Sequence, residues 1–255
     1  MIIKSPEEIA IMREGGKRLS NILRKVAERV VPGVRADALD VFVRELIERD
    51  GDKPAFLHYK PEFSSKPFPA SLCVSVNDEV VHGIPSNRVL KNGDIVGLDL
   101  GLEHGGLFTD MAVTVPVGNV SENDKKLMQV TKKALTAALS VVKDGANLND
   151  IGIAVESVVH PADFSIVEEL GGHGVGHKIH EAPFVTHFKT NSKDKLEAGQ
   201  TLAIEPMINA GGKEVTFDEQ DGYTVRTKDG RNSAHYEVTL AVTETGADIL
   251  TPIFW

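Results

Sequence analysis

The sequence predicts an α+β fold made of a duplicated helix-helix-strands unit folded about a pseudo-two-fold axis. Three observations predict it. Two pairs of helical segments are separated by strand-rich sequence, the strand regions repeat in the same order in both halves, and no Pro/Gly/Ser-rich linker divides the halves. The 255 residues are 41% hydrophobic and 25% charged, the composition of a folded globular protein, and they suffice for one large domain or two modest ones.

The first helical pair opens at Ser5, where Pro6 at the first helical position and Glu8 make a capping box. Met12, Leu19, Ile22, Leu23, Val26 and Val30 continue at helical spacing until Val31-Pro32-Gly33 stops the helix. A second helix is predicted from Asp37 to about Glu48, with Leu39, Phe42, Val43, Leu46 and Ile47 on one face, ending before Asp50-Gly51-Asp52. The same grammar recurs later. Ser121 with Asp124 opens a helix to about Val142, stopped by Lys143-Asp144-Gly145, and Asn147 with Asp150 opens a shorter one to Val159 before Pro161.

Leu90 to Asp99 aligns with Leu196 to Glu205 at an offset of 106 residues, so both segments end on a carboxylate. His82-Gly83-Ile84-Pro85 matches His180-Glu181-Ala182-Pro183, and Thr109 to Val113 can be set against Tyr236 to Leu240. Strands are expected over Asp94 to Gly101, Gly106 to Val115, Thr201 to Pro206 and Ser233 to Val242. Alternation puts Val96, Leu98 and Leu100 on one face and Gly97, Asp99 and Gly101 on the other. In the matching strand Glu205 shares its face with Thr201 and Ala203. Asp110 sits with Ala112 and Thr114, and Glu237 with His235 and Thr239.

One such carboxylate is readily a solvated strand face, but four change the balance. None of these strands contains a lysine or arginine. Four unpaired carboxylates converging in a partly dry pocket would cost several kcal/mol each, and two divalent cations would neutralise them. In Gly171 to His180 the histidines stand at i, i+4 and i+7, yet Gly174 occupies the position of a zincin glutamate and the glycines oppose a helix. No Lys-Ser/Thr pair follows to make a phosphate loop. Glycine-rich backbone can instead bring one imidazole close to a metal. His58, His104, His160 and His187 are read as structural histidines.

Composition excludes other classes. The single cysteine, Cys73, rules out an internal disulfide and a cysteine-built zinc site. A net charge of −9 leaves no basic excess to displace counterions from phosphates, and no direct nucleic-acid motif is present. No window approaches the roughly 18 apolar residues of a membrane span, and Met1 to Glu8 turns acidic where a signal peptide turns apolar. A cytoplasmic protein without a membrane partner is expected.

With Asp99, Asp110, His173, Glu205 and Glu237 in this order, the chain resembles a type I methionine aminopeptidase over nearly its whole length. The most specific pieces are Cys73 to Pro85, the eleven-residue interval from Asp99 to Asp110, Gly172 to Gly176 with His180-Glu181-Ala182-Pro183, and Ile204-Glu205-Pro206-Met207. The resemblance implies a single catalytic domain over residues 1–255 with the pita-bread fold, a curved antiparallel sheet backed by helices in two pseudo-symmetric halves. It implies that the five residues bind two divalent ions (Mn, Fe, Co or Zn), and that a water bridging them attacks the first peptide carbonyl. Glu205 would accept and return the proton, His180 would steady the oxyanion, and His82 would hydrogen-bond the peptide near the scissile amide. Phe56, Tyr59, Phe68 and Cys73 fall where the family lines its methionine pocket. Tyr223 stands where relatives often have tryptophan, and Ile179 replaces a commonly larger residue. Lys60 to Pro67 reads as an insertion. The implied substrate is the N-terminal methionine of nascent proteins when the second residue is small, processed by a monomer in transient contact with the ribosome. A proline-specific peptidase of the same superfamily shares the five ligands but usually carries a domain ahead of the catalytic one. A binding module that lost catalysis typically loses ligands, and this chain retains all five.

Overall fold

The structure is a computed structural model that describes residues 2–61, 64 and 66–255. Helices α1 (Pro6–Ala27) and α2 (Ala36–Arg49) precede strands β1 (Lys53–Pro54), β2 (Cys73–Val76), β3 (Glu79–Val81), β4 (Ile95–His104) and β5 (Leu107–Pro116). Helices α3 (Glu122–Val141) and α4 (Asn149–Val159) follow, then a 3₁₀ turn at His160–Ala162. The second half continues with β6 (Ser165–Ile166), β7 (Gly172–Gly174), β8 (Glu181–Val185), β9 (Thr201–Ile204) and β10 (Met207–Asn209). Strands β11 (Val215–Phe217), β12 (Val225–Thr227), β13 (Ser233–His235), β14 (Val238–Val242) and β15 (Ala247–Ile249) complete it.

The capping box at α1 is formed: Glu8 N–H donates to Ser5 Oγ and Ser5 N–H donates to Glu8 Oε2. The last turn tightens, with Val30 N–H reaching only back to Ala27, because Pro32 cannot continue the ladder. Helix α2 starts one residue earlier than expected. Its Ala36 and Asp37 N–H groups donate to the Arg88 and Ser86 carbonyls, which satisfies the helix end without a capping side chain. Helix α3 begins as expected, Ser121 Oγ accepting from Asp124 N–H. At α4, Asp150 Oδ2 accepts from Asn147 N–H and Asn147 Oδ1 accepts from Asn149 N–H, and the helix itself starts at Asn149, later than expected.

The first two expected strands are β4 and β5, which pair as an antiparallel hairpin with Gly101 opposite Asp110 and Asp99 opposite Ala112. They lie in a sheet of order β1-β4-β2 with β5 on β4, and the second half forms β15-β14-β9-β7-β8. Two smaller sheets are β13-β10-β6, within the second half, and β11-β12-β3, in which β12 of the second half pairs with β3 of the first. One expected strand is divided: Ser233 to Val242 pairs first with β10 and then with β9. The break falls at Tyr236-Glu237, where the buried Tyr236 hydroxyl donates to the Thr114 carbonyl and Glu237 N–H donates to Ala112 of β5. This crossover stitches the second half to the first.

Alternation sorts the faces as predicted. Leu19, Ile22, Leu23 and Val26 of α1 and Leu127 and Leu135 of α3 join one apolar core with Val96, Leu98, Leu100, Leu202, Ile204 and Val238. At roughly 1.5–3 kcal/mol per fully buried aliphatic side chain, this helix-backed layer carries the fold. The other sheet face is left to small residues and carboxylates.

Candidate metal centre and cleft

A cleft of about 590 Å³ opens on that second face. Phe56, Tyr59, Phe68, Cys73, His82, Asp99, Asp110, His173, His180, Glu205, Tyr223 and Glu237, the whole set singled out from the sequence, line it. Asp99 and Asp110 come from adjacent strands β4 and β5. Glu205 follows β9 directly and Glu237 precedes β14, and the Val238–Ile204 pairing brings them side by side. His173 stands on β7 opposite Ala203. The flanking glycines make this possible, because a Cβ on Gly172 or Gly174 would lie 2.3 Å from the Ala203 or Ala182 carbonyl oxygen.

Ligand-type atoms of Asp99, Asp110 and Glu237 lie within 4.8 Å of one another, as do those of His173, Glu205 and Glu237 and those of Asp110, His173 and His180. His173 Nδ1 lies 2.9 Å from the Gly174 carbonyl and donates to it, which leaves the Nε2 lone pair facing Glu205 Oε1 at 3.4 Å. That is the tautomer a metal requires. Burial, followed by mutual repulsion, pushes the Asp99, Glu205 and Glu237 carboxyls well above the usual range. Burial also raises Asp110 to about 7. Among the described residues the only basic groups in ion-pair range of these carboxylates are His173 and His235. Asp99 Oδ1 is buried with no hydrogen-bond partner. A nitrogen lone pair, four carboxylates and an orphaned oxygen without a fixed cation fit divalent metal ions.

His82 follows β3 with φ of 60°, a left-handed conformation costly for a non-glycine residue and typical of functional positions. Burial, followed by the neighbouring His180, lowers it to about 4. His180 is at the mouth, more open to solvent than His82, its Nδ1 3.0 Å from the Tyr59 hydroxyl, and desolvation by the cleft walls lowers it likewise to about 4. Both imidazoles are neutral at pH 7. Phe56, Phe68, Cys73 and Tyr223 pack together with Ile179 into one apolar group. Phe68 meets Tyr223 edge-on with ring centroids 5.1 Å apart. Of Lys60 to Pro67, read from the sequence as an insertion, residues 62, 63 and 65 lie outside the described residues. The segment is tied at its base, Phe68 N–H donating to the Tyr59 carbonyl at 2.8 Å, and the Tyr223 hydroxyl donates to the Lys66 carbonyl.

Two histidines beside the centre were not singled out for it. His187, read as structural, accepts from Glu205 N–H through Nε2 at 3.2 Å, and His235 Nε2 is 3.4 Å from Glu205 Oε2 without hydrogen-bond geometry. His235 was visible as the face-mate of Glu237; no local pattern marks His187. His58, His104 and His160 lie away from the cleft lining, and His104 Nδ1 is 2.7 Å from Asp52.

The profile of metallopeptidase family M24 matches residues 10–244. Methionine aminopeptidase 1 of Bacillus subtilis is 42% identical over 254 residues, spanning 99% of this chain and 100% of that one. The chain belongs to metallopeptidase family M24, in its methionine aminopeptidase group. The Aquifex aeolicus methionine aminopeptidase is also 42% identical, over 98% of each chain. The crystal structure of methionine aminopeptidase from Rickettsia prowazekii superposes with a TM-score of 0.95 at 35% identity, covering 99% of this chain and 100% of that one. The prolidase from Pyrococcus furiosus, 22% identical with a TM-score of 0.80 and matched over 66% of its length, shares the fold. This M24 chain has the pita-bread fold and is a metal-dependent aminopeptidase. No described helix is long and apolar enough to cross a membrane.

Proposed function

We propose that this M24 enzyme removes the N-terminal methionine of nascent proteins when the second residue is small. The observation that carries this reading is a cluster of four desolvated carboxylates with no lysine or arginine in ion-pair range among the described residues, together with the His173 lone pair, set beside an apolar pocket closed by Phe56, Phe68, Cys73 and Tyr223. Asp99, Asp110, His173, Glu205 and Glu237 would hold two divalent ions, Mn, Fe, Co or Zn. Bound ions supply an acidified attacking water and Lewis-acid polarisation of the scissile carbonyl.

Glu205 takes the water proton and returns it to the leaving amine. With the Tyr59 hydroxyl donating to Nδ1, His180 presents Nε2–H to the developing oxyanion, and its depressed pKa keeps it neutral. His82, also neutral, hydrogen-bonds the peptide near the scissile amide. An unbranched thioether side chain fills the apolar pocket, with Tyr59 at its mouth. On the other side, His82 and His180 leave room for only a small second side chain. Residues 1–255 act as a single catalytic domain, a cytoplasmic monomer that meets its substrate in transient contact with the ribosome.

The test is kcat/KM for Met-Ala-Ser, Met-Lys-Ser, Leu-Ala-Ser and Ala-Pro-Ser with purified protein under Mn²⁺, Fe²⁺, Co²⁺ or Zn²⁺. Met-Ala-Ser should lead, and the loss for Leu-Ala-Ser should correspond to about 1–3 kcal/mol, as for mismatched apolar groups. Preference for Ala-Pro-Ser would move the chain to the prolidase branch. No cleavage of any peptide would make it a binding module.

A further inference from the structure

Lys4 lies outside the cleft lining, yet its side chain is wholly buried. Its ammonium donates to Glu181 Oε2 at 2.8 Å, and the two side chains are 0% and 2% exposed. Such a pair is a poor source of stability, since desolvation offsets most of the attraction and apolar residues of equal volume often serve as well. The other oxygen of the same carboxylate shows what the pair holds. Glu181 Oε1 accepts from Lys178 N–H at 2.8 Å, so one carboxylate closes the turn containing His180 and ties that turn to the N-terminal segment.

The segment is itself anchored. Lys4 N–H donates to the Gly199 carbonyl at 2.8 Å, and Glu8 Oε1 lies 2.5 Å from His177 Nε2. The Lys4 stem crosses Gly176 so closely that a Cβ there would meet Lys4 Cε at 2.2 Å. Residues 4 and 8 therefore clamp the turn at Gly176, His177 and Glu181. His180 projects from it against the His173 ring, with centroids 4.4 Å apart.

We infer that Lys4 is a positioning residue for the aminopeptidase reaction, holding His180 on the scissile carbonyl through Glu181. This role rests on the oxyanion function proposed for His180. Lys4→Met keeps the stem and removes the ammonium. Glu181→Gln keeps the shape and the acceptor for Lys178. In full-length protein loaded with Mn²⁺, kcat for Met-Ala-Ser should fall by about 10²-fold, as expected for a catalytic group displaced by about 1 Å. KM and bound metal should stay at wild-type values. In a His180→Ala background, Lys4→Met should change kcat no further. An equal proportional loss with and without His180, or a lowered Tm with kcat intact, would overturn the role. A second readout needs no turnover: the imidazole ¹H–¹⁵N resonances of His180 in metal-free protein should be single and sharp in the wild type and broadened or doubled in both variants. Unchanged resonances would also overturn it. If Lys4→Met does not fold, Glu181→Gln carries both measurements. A wild-type chain inactive on every methionyl peptide would sink the proposed function, while the resonances would still decide what Lys4 holds.

Discussion

Thr239 grips Asp110 by both backbone polar groups: its hydroxyl accepts from Asp110 N–H at 2.8 Å and donates to the Asp110 carbonyl at 2.8 Å. The arrangement is reciprocal. Thr114 of β5 makes the same pair of bonds with the N–H and carbonyl of His235, both at 2.9 Å. Two buried hydroxyls thus bridge the halves where, among the described residues, no strand pairing joins β5 to β13 or β14.

Thr239→Val keeps the volume but strands a buried N–H and carbonyl at Asp110. An unsatisfied buried group costs about 1–3 kcal/mol, so denaturant unfolding should shift by that order. Asp110 would also lose its fixed orientation. Mn²⁺ affinity by calorimetry should therefore fall by about tenfold or more, the range seen when groups orienting a metal ligand are removed. Unchanged affinity would show that the Thr239 bridge supports the sheet alone.

Prolonged chelation should abolish activity and leave a folded protein, because the helix-backed core is separate from the cleft. The carboxyls and the histidines act on its stability in opposite directions. Burial raises Asp110 in the fold to about 7 and holds Asp99, Glu205 and Glu237 well above their normal range, so their stabilisation is full below about pH 4 and is lost as pH rises through the folded values, up to 7 for Asp110 and beyond it for the others. His82, His173, His180, His187 and His235 are depressed to about 3–4 by burial, so their stabilisation is full above about pH 6.5 and is lost as pH falls toward 4. Between about pH 4 and 6.5 the two sets largely offset each other, and above about 6.5 only the carboxyl loss remains. At about 2–4 °C per kcal/mol for a chain of this size, the Tm of metal-free protein should drop measurably from pH 7 to 9. Saturating Mn²⁺ should flatten that limb. A Tm that rises from pH 7 to 9 without metal would contradict the desolvated cluster.

Glu205→Gln preserves shape and removes the proton acceptor. At saturating metal, kcat should fall by about 10²–10⁴-fold, with peptide affinity nearly retained. Turnover close to wild type would assign the base elsewhere.

The parts legible in the sequence are those written in local pattern. Asp99 announced itself by sitting among Gly97 and Gly101 in a strand whose other face is aliphatic, and the offset of 106 residues then pointed to Glu205. The clamp on His180 was not legible, since Lys4 and Glu181 are 177 residues apart and the His180-Glu181-Ala182-Pro183 motif says nothing of a partner for Glu181. His187 was read as structural for the same reason, its contact being to the backbone N–H of Glu205, just past β9. The Ser233 to Val242 run alternates smoothly, so nothing local signals that Glu237 N–H leaves its own sheet for Ala112.

Gly101 provides the sharpest test of the pocket. It lies on the cleared face of β4, directly opposite Asp110, and its φ is not in the left-handed region, so the backbone accepts alanine without strain. The space does not. A Cβ there would lie 2.8 Å from Ala55 Cβ, 2.8 Å from Phe56 Cε1 and 3.1 Å from Ile179 Cδ1. Ala55 Cβ can give only with its backbone, which is bonded to the Gly101 carbonyl, so strands β1 and β4 must ease apart slightly while the Phe56 ring, which lines the cleft, turns away. Gly101→Ala should therefore narrow the pocket. Overpacking of this kind costs about 1–3 kcal/mol, and here it would appear as a lower kcat/KM for Met-Ala-Ser. Ala-Ala-Ser, whose first side chain does not reach Phe56, should be affected far less, so the preference for methionine should shrink. Equal losses on both peptides would mean that the substitution disturbs the carboxylates across the rung instead, and that Phe56 does not bound the side-chain pocket.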